Sequence, residues 1–130
     1  MAKIDKLTYV DQAEKVIKNM RVKNRNGSYR ISLTTSKIRN ILSLVTGIYN
    51  QVIHETNDGL SEEICEEIQY LRLRIVYEAG RDQDVMNFMN QAKLLENIQS
   101  IGKSREQLRL FCRYMEALVA YHRFYGGRDA

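Results

Sequence analysis

Apolar side chains recur every three or four residues along most of this chain, the spacing that lines up one face of an α-helix. Ile4, Leu7, Val10, Ala13, Val16, Ile17 and Met20 form the first stripe and predict an amphipathic N-terminal helix within residues 1–20. Residues 21–33 break the pattern: Asn24, Asn26, Gly27 and Ser28 alternate with basic side chains and predict an exposed basic loop. Periodicity resumes with Ile38, Ile41, Leu42, Val45, Ile48, Tyr49 and Val52, so a second helix is expected from about Thr34 to His54, capped by the hydroxyls at its start.

Ser61 is placed to cap a third helix, with Glu62 and Glu63 complementing its positive end and Ile64, Ile68, Leu71 and Ile75 on its core side. Gly80 is expected to end it. A fourth helix opens at Asp82 or Asp84, buries Val85, Phe88, Met89, Ala92, Leu95 and Ile98, and closes at Gly102. Ser104 and Gln107 read as a capping box for a fifth, whose broad face holds Leu108, Phe111, Cys112, Met115, Leu118, Val119 and His122 before Gly126-Gly127 stops it. The fold expected is all-α: one domain over residues 1–130, a compact bundle of about five antiparallel helices with its main body at 34–127.

Composition supports this reading. There are 130 residues, no proline and seven glycines, so obligatory helix breakers are few. Every apolar run falls far short of the roughly 20 residues that a membrane-spanning helix needs. Cys65 and Cys112 show no CxxC spacing, and with no signal peptide ahead of them a reduced, cytoplasmic protein without a membrane role is expected.

The net charge is +4, but its distribution carries more information. Between Glu14 and Glu55 no acidic residue occurs, while Lys15, Lys18, Arg21, Lys23, Arg25, Arg30, Lys37 and Arg39 all do. Such like charges repel one another, and a polyanionic partner removes that cost. On the third predicted helix Tyr70, Arg74, Tyr77 and Arg81 form a stripe at helical spacing. It suits a phosphate–ribose backbone, or else packs as tyrosines with arginines paired to glutamates. Arg105, Arg109, Arg113 and Arg123, interspersed with Glu106 and Glu116, read more simply as a solvated helix face.

Enzyme signatures are missing from the sequence. His54 and His122 sit in no metal-ligand spacing, and GxGxxG, GxxxxGK[ST] and GxSxG are not found. No spacing supplies a buried carboxylate among arginines, as a small helical enzyme of the chorismate-mutase type requires. A non-catalytic domain without metal or cofactor is expected.

Three strings, LTTSKIRNIL at 33–42, YLRLRIVYEAGR at 70–81 and FCRYMEALVAYHRFYGG at 111–127, occur in this order. Together they resemble the small-subunit family of type III-A CRISPR effector (Csm) complexes. The resemblance implies a helical antiviral-defence subunit without an active site, present in several copies stacked as a short filament beside the other subunits of the complex. In that picture a basic surface contacts the duplex of guide RNA and target RNA and helps monitor complementarity, while other subunits cleave RNA. Carried onto this sequence, the RNA-binding residues implied are Lys37, Arg39, Arg72, Arg74, Arg81, Arg113 and His122. Arg21, Lys23, Arg25 and Arg30 lie outside the three strings, so an RNA role for that loop rests on charge. The alternative is a structural helical adaptor that joins subunits without touching RNA.

Overall fold

A computed structural model describes residues 4–127; residues 1–3 and 128–130 of the expected domain lie outside the described residues. In chain order the elements are α1 (Tyr9–Asn19), β1 (Arg21–Lys23), β2 (Tyr29–Ile31), α2 (Thr35–Tyr49), α3 (Glu62–Arg81), α4 (Gln83–Gln91), α5 (Leu94–Ile101) and α6 (Arg105–Phe124). The protein is thus mostly helical, as the periodicity predicts, with one small sheet. None of the described helices is long and apolar enough to cross a membrane.

Helix starts follow the capping residues closely. The hydroxyls of Thr34, Ser61 and Ser104 accept the backbone N–H of Lys37, Ile64 and Gln107 at 3.4, 3.2 and 3.1 Å. α1 begins later than expected, because the Asp5 carboxylate accepts the N–H groups of Leu7 and Thr8 at 2.9 and 3.0 Å and holds a turn ahead of the helix. α2 ends at Tyr49, short of His54, and the chain continues as a turn. α3 runs through Gly80 to Arg81; the extended backbone of Asp82 (φ −147°, ψ 112°) ends it. The Asp82 carboxylate then caps α4 by accepting from Asp84 and Val85 at 2.9 and 3.4 Å.

Two expectations are corrected. Within the expected loop at 21–33, residues 21–31 form an antiparallel hairpin, with Arg21 opposite Ile31, Val22 opposite Arg30 and Lys23 opposite Tyr29. Asn26-Gly27, with Gly27 at φ +91°, makes the reversal that a hairpin needs. The single helix expected to close at Gly102 is two helices, α4 and α5, broken where Lys93 adopts left-handed backbone (φ 54°). Buried Asn97 supports the break: its amide donates to the carbonyls of Ala92 and Lys93 at 3.3 and 3.0 Å, while its oxygen accepts the Ile4 N–H at 3.3 Å. The Tyr114 hydroxyl also donates to the Ala92 carbonyl, at 3.0 Å.

The core is contiguous. α6 packs against α1, α2 and α5, and α3 packs against α2, α4 and α5. Phe88, Phe111, Ile38, Leu108, Met115 and Leu118 are fully enclosed, each worth about 1.5–3 kcal/mol of burial. Ile31 and Leu33 anchor the base of the hairpin in this core, leaving its turn in solvent.

Candidate nucleic-acid interface

The uninterrupted basic run folds into the end of α1, the hairpin and α2. Lys23, Arg25 and Arg30 are exposed, and among the described residues no carboxylate lies within ion-pair distance of them or of Arg21. Arg21 is held in place: its Nε–H donates to the Lys18 carbonyl at 3.4 Å, and its guanidinium lies 4.5 Å from the Tyr29 ring centre and 5.3 Å from that of Tyr125. Both distances are within cation–π range.

The end of α6 adds aromatic rings to this basic corner. Tyr121 and Tyr125 stack at 6.2 Å with 23° between planes, and Phe124 stands at 80–85° to both. The Tyr125 hydroxyl donates to the Glu14 carboxylate at 2.6 Å, which raises the pKa of the phenol above its usual value. Lys18 lies 3.9 Å from the same carboxylate and 5.8 Å from the Tyr125 ring centre. Sequence reasoning missed Lys18, Tyr29, Phe124 and Tyr125 as a group. The signal available was Tyr29 inside the basic run together with the i, i+3, i+4 aromatic spacing of Tyr121, Phe124 and Tyr125.

A second cluster lies along the groove between α2 and α3, where Lys37, Arg74 and Arg81 converge with Glu78 and Asp82. Lys37 forms an ion pair with Asp82, which lowers the pKa of that carboxyl and raises that of the lysine. Arg81 lies 3.7 Å from Glu78. Arg74 has no carboxylate partner among the described residues; its guanidinium sits 5.9 Å from the Tyr70 ring centre, as that of Arg81 sits 5.6 Å from Tyr77. Tyr70 and Tyr77 are 59% and 61% exposed, so the stripe read from their spacing points outward instead of packing inward. Leu73 and Val76 are exposed beside them.

The remaining expected residues are dispersed. Arg39 is exposed on α2. Arg72 lines a different groove, between α3 and α5, and donates to Gln69 at 3.3 Å. Arg113 lies 3.9 Å from Glu116, beside the cleft where residues 4–9 meet α6. His122 is corrected outright. Its side chain is fully buried and its Nε2 lies 2.6 Å from the Leu33 carbonyl, so the imidazole presents nothing to a ligand. Among the described residues no three His, Cys, Asp or Glu side chains converge as metal ligands.

Comparison with known proteins agrees with the three strings. A family model described as Csm2 Type III-A matches residues 8–128. A curated relative named CRISPR system Cms protein Csm2, from Streptococcus thermophilus, is 43% identical over 129 residues, which is 99% of this chain and 100% of the relative. The protein of that name from Mycobacterium tuberculosis is 43% identical over 121 residues, covering 93% of this chain and 94% of its own. The one from Enterococcus italicus is 38% identical over 122 residues, covering 87% and 86%.

Proposed function

The chain belongs to the Csm2 Type III-A family, and from that premise we propose that it is a non-catalytic small subunit of a type III-A CRISPR effector complex that holds the guide–target RNA duplex by its backbone. The observation that carries this reading is the hairpin. Four cations, Arg21, Lys23, Arg25 and Arg30, occupy a short ribbon with no carboxylate partner among the described residues. Lys37, Arg81, Arg109 and Arg113, by contrast, all have one. Unpaired cations release counterions when they meet phosphates and give binding without sequence preference. The shallow minor groove of an RNA duplex, lined by phosphates and 2′-hydroxyls, suits such contact. Arg39 and Arg74 supply further cations on α2 and α3. Each copy makes few contacts, so several copies in one complex act together through avidity, and the regular A-form backbone that complementary pairing produces is the shape such contacts fit.

The test is charge reversal in the assembled complex and in the chain alone. Lys23→Glu, Arg25→Glu and Arg30→Glu together are expected to weaken duplex binding and to flatten its salt dependence by roughly one unit of slope for each phosphate no longer neutralised. Unchanged affinity and slope would exclude the reading.

The adaptor reading has its own observation, the exposed Tyr70, Leu73, Val76 and Tyr77 on α3, which fit a protein neighbour in the complex, another copy of the chain among them. Leu73→Ser is expected to lower incorporation into the complex while leaving the duplex affinity of the isolated chain unchanged, since it removes apolar surface without altering charge.

A further inference from the structure

Phe124 is 75% exposed at the end of α6, although its ring is braced at near right angles by Tyr121 and Tyr125. One exposed ring is ordinary on a protein surface, but a cluster of exposed and half-exposed rings marks a place for a partner. These edge contacts leave three-quarters of the side chain open to solvent. Beside it, the Arg21 guanidinium lies within cation–π range of the rings of both Tyr125 and Tyr29, and Tyr29 is itself half exposed. The Glu14 carboxylate, which would repel an anion, is engaged by the Tyr125 hydroxyl and Lys18. An aromatic–guanidinium band thus runs from the hairpin to the end of α6, with the unpaired Lys23 opposite Tyr29 on the same face of the ribbon, Arg25 in the turn beyond, and Arg123 exposed on the last turn of α6.

A duplex does not use such a band. Its bases are stacked on one another and offer only their edges and their backbone, which cations alone can hold. Open rings next to cations match a nucleotide whose base is unpaired: the ring stacks on the π-face while phosphates on either side meet the lysines and arginines. We propose that Phe124, with Tyr125, Arg21 and Tyr29, forms a stacking site for an unpaired base in a single-stranded RNA segment, with the hairpin holding the adjoining phosphates. The proposal rests on the RNA-binding reading above and adds to it the form of RNA that this corner selects. Stacking of this kind tolerates any base, so no sequence preference is expected beyond that of stacking strength.

The test compares three probes on the full chain at low salt: oligoadenylate, an abasic oligomer of the same length, and a blunt-ended RNA duplex. The wild type is expected to bind oligoadenylate more tightly than the abasic oligomer, and Phe124→Ala to remove about tenfold of that preference without changing duplex affinity. Because Phe124 is mostly exposed, the variant should keep its helical circular dichroism; Tyr29→Leu is a second variant, on the hairpin side, expected to lower the same preference. Equal affinity for the two single strands, a preference that survives both substitutions, or binding of neither single strand overturns the proposal. An acidic protein partner at this corner predicts the first of those results. The duplex reading fails on a separate arm: duplex affinity unmoved by hairpin charge reversal while the Phe124-dependent preference persists.

Discussion

His122, near the end of α6, donates its Nε2–H to the backbone carbonyl of Leu33 at 2.6 Å. A carbonyl can only accept, so the bond fixes the proton on Nε2. The contact spans 89 positions and ties α6 to the short link between the hairpin and α2. Its partner Leu33 is as deeply buried as the imidazole, so no water replaces the bond if it is broken.

His122→Ala is therefore expected to lower stability by about 2–4 kcal/mol, combining a cavity with a stranded carbonyl. Urea denaturation checks it as a shift in midpoint at constant slope. Duplex affinity measured on the folded variant should match the wild type; a stable variant with weakened RNA binding would restore the histidine to the interface.

Gly127 closes over the same ring. Its N–H donates to the His122 carbonyl at 2.8 Å, and a Cβ on Gly127 would fall 2.0 Å from His122 Cε1. Gly127→Ala is expected to cost about 1–3 kcal/mol by overpacking. In the His122→Ala background most of that cost should vanish, which a double-mutant cycle measures as coupling between the two positions.

Asp82 has two tasks, capping α4 and pairing with Lys37. Its pKa is lowered, chiefly by Lys37, so its contribution is present above the ordinary carboxylate value of about 3.9 and is lost as pH falls through the lowered folded value. The pKa of Lys37 is raised, chiefly by Asp82, so that side of the pair acts below the ordinary lysine value of about 10.4 and is lost as pH climbs through the raised one. Stability against pH should flatten at both ends in Asp82→Asn, which keeps the cap. Asp82→Ala should lose a further 0.5–2 kcal/mol, approximately the value of an N-cap.

The two cysteines should separate by reactivity. Burial pushes the Cys112 thiol up to about 11, whereas Cys65 is only partly buried on α3. Thiolate is the reactive form. Iodoacetamide at mildly alkaline pH is expected to modify the native chain at Cys65 alone and to reach Cys112 only in denaturant, as mass spectrometry would record. Equal labelling of both in the native chain would contradict the burial.

Lys93→Gly should raise stability by up to about 1 kcal/mol, because the left-handed backbone there is costly for a residue with a Cβ. Glycine elsewhere in these helices would do the opposite. Thermal or urea unfolding decides the sign.

Helix starts were legible because Thr34, Ser61 and Ser104 act within three residues of themselves, and core faces because period 3.6 survives wherever a helix is longer than two turns. The hairpin was hidden by its shortness: strands of three residues carry no measurable alternation, and only Asn26-Gly27 marked it. The break at Lys93 had no local sign, since lysine is an ordinary helix former and the supporting Asn97 and Tyr114 come from other turns of the chain. The same limit applied to the interface. Charge located the basic half, but the Lys37–Asp82 pair joins residues 45 positions apart, and the aromatic corner joins three separate elements. The burial of His122 is equally non-local: its position on a broad apolar face gave a direction, and Leu33 gave it a partner.

The helix that α1, α2 and α5 all pack against is α6, and it is the last of the described helices in chain order. During synthesis the ribosome therefore releases three amphipathic helices before the element that covers their apolar faces exists. α3 and α4 can pair early, since they adjoin at Asp82, but Ala13, Ile17 and the inner face of α2 wait with their side chains in water. Burial of these faces waits until α6 has left the ribosome, and a nascent chain halted before Arg105 is a natural client for chaperones.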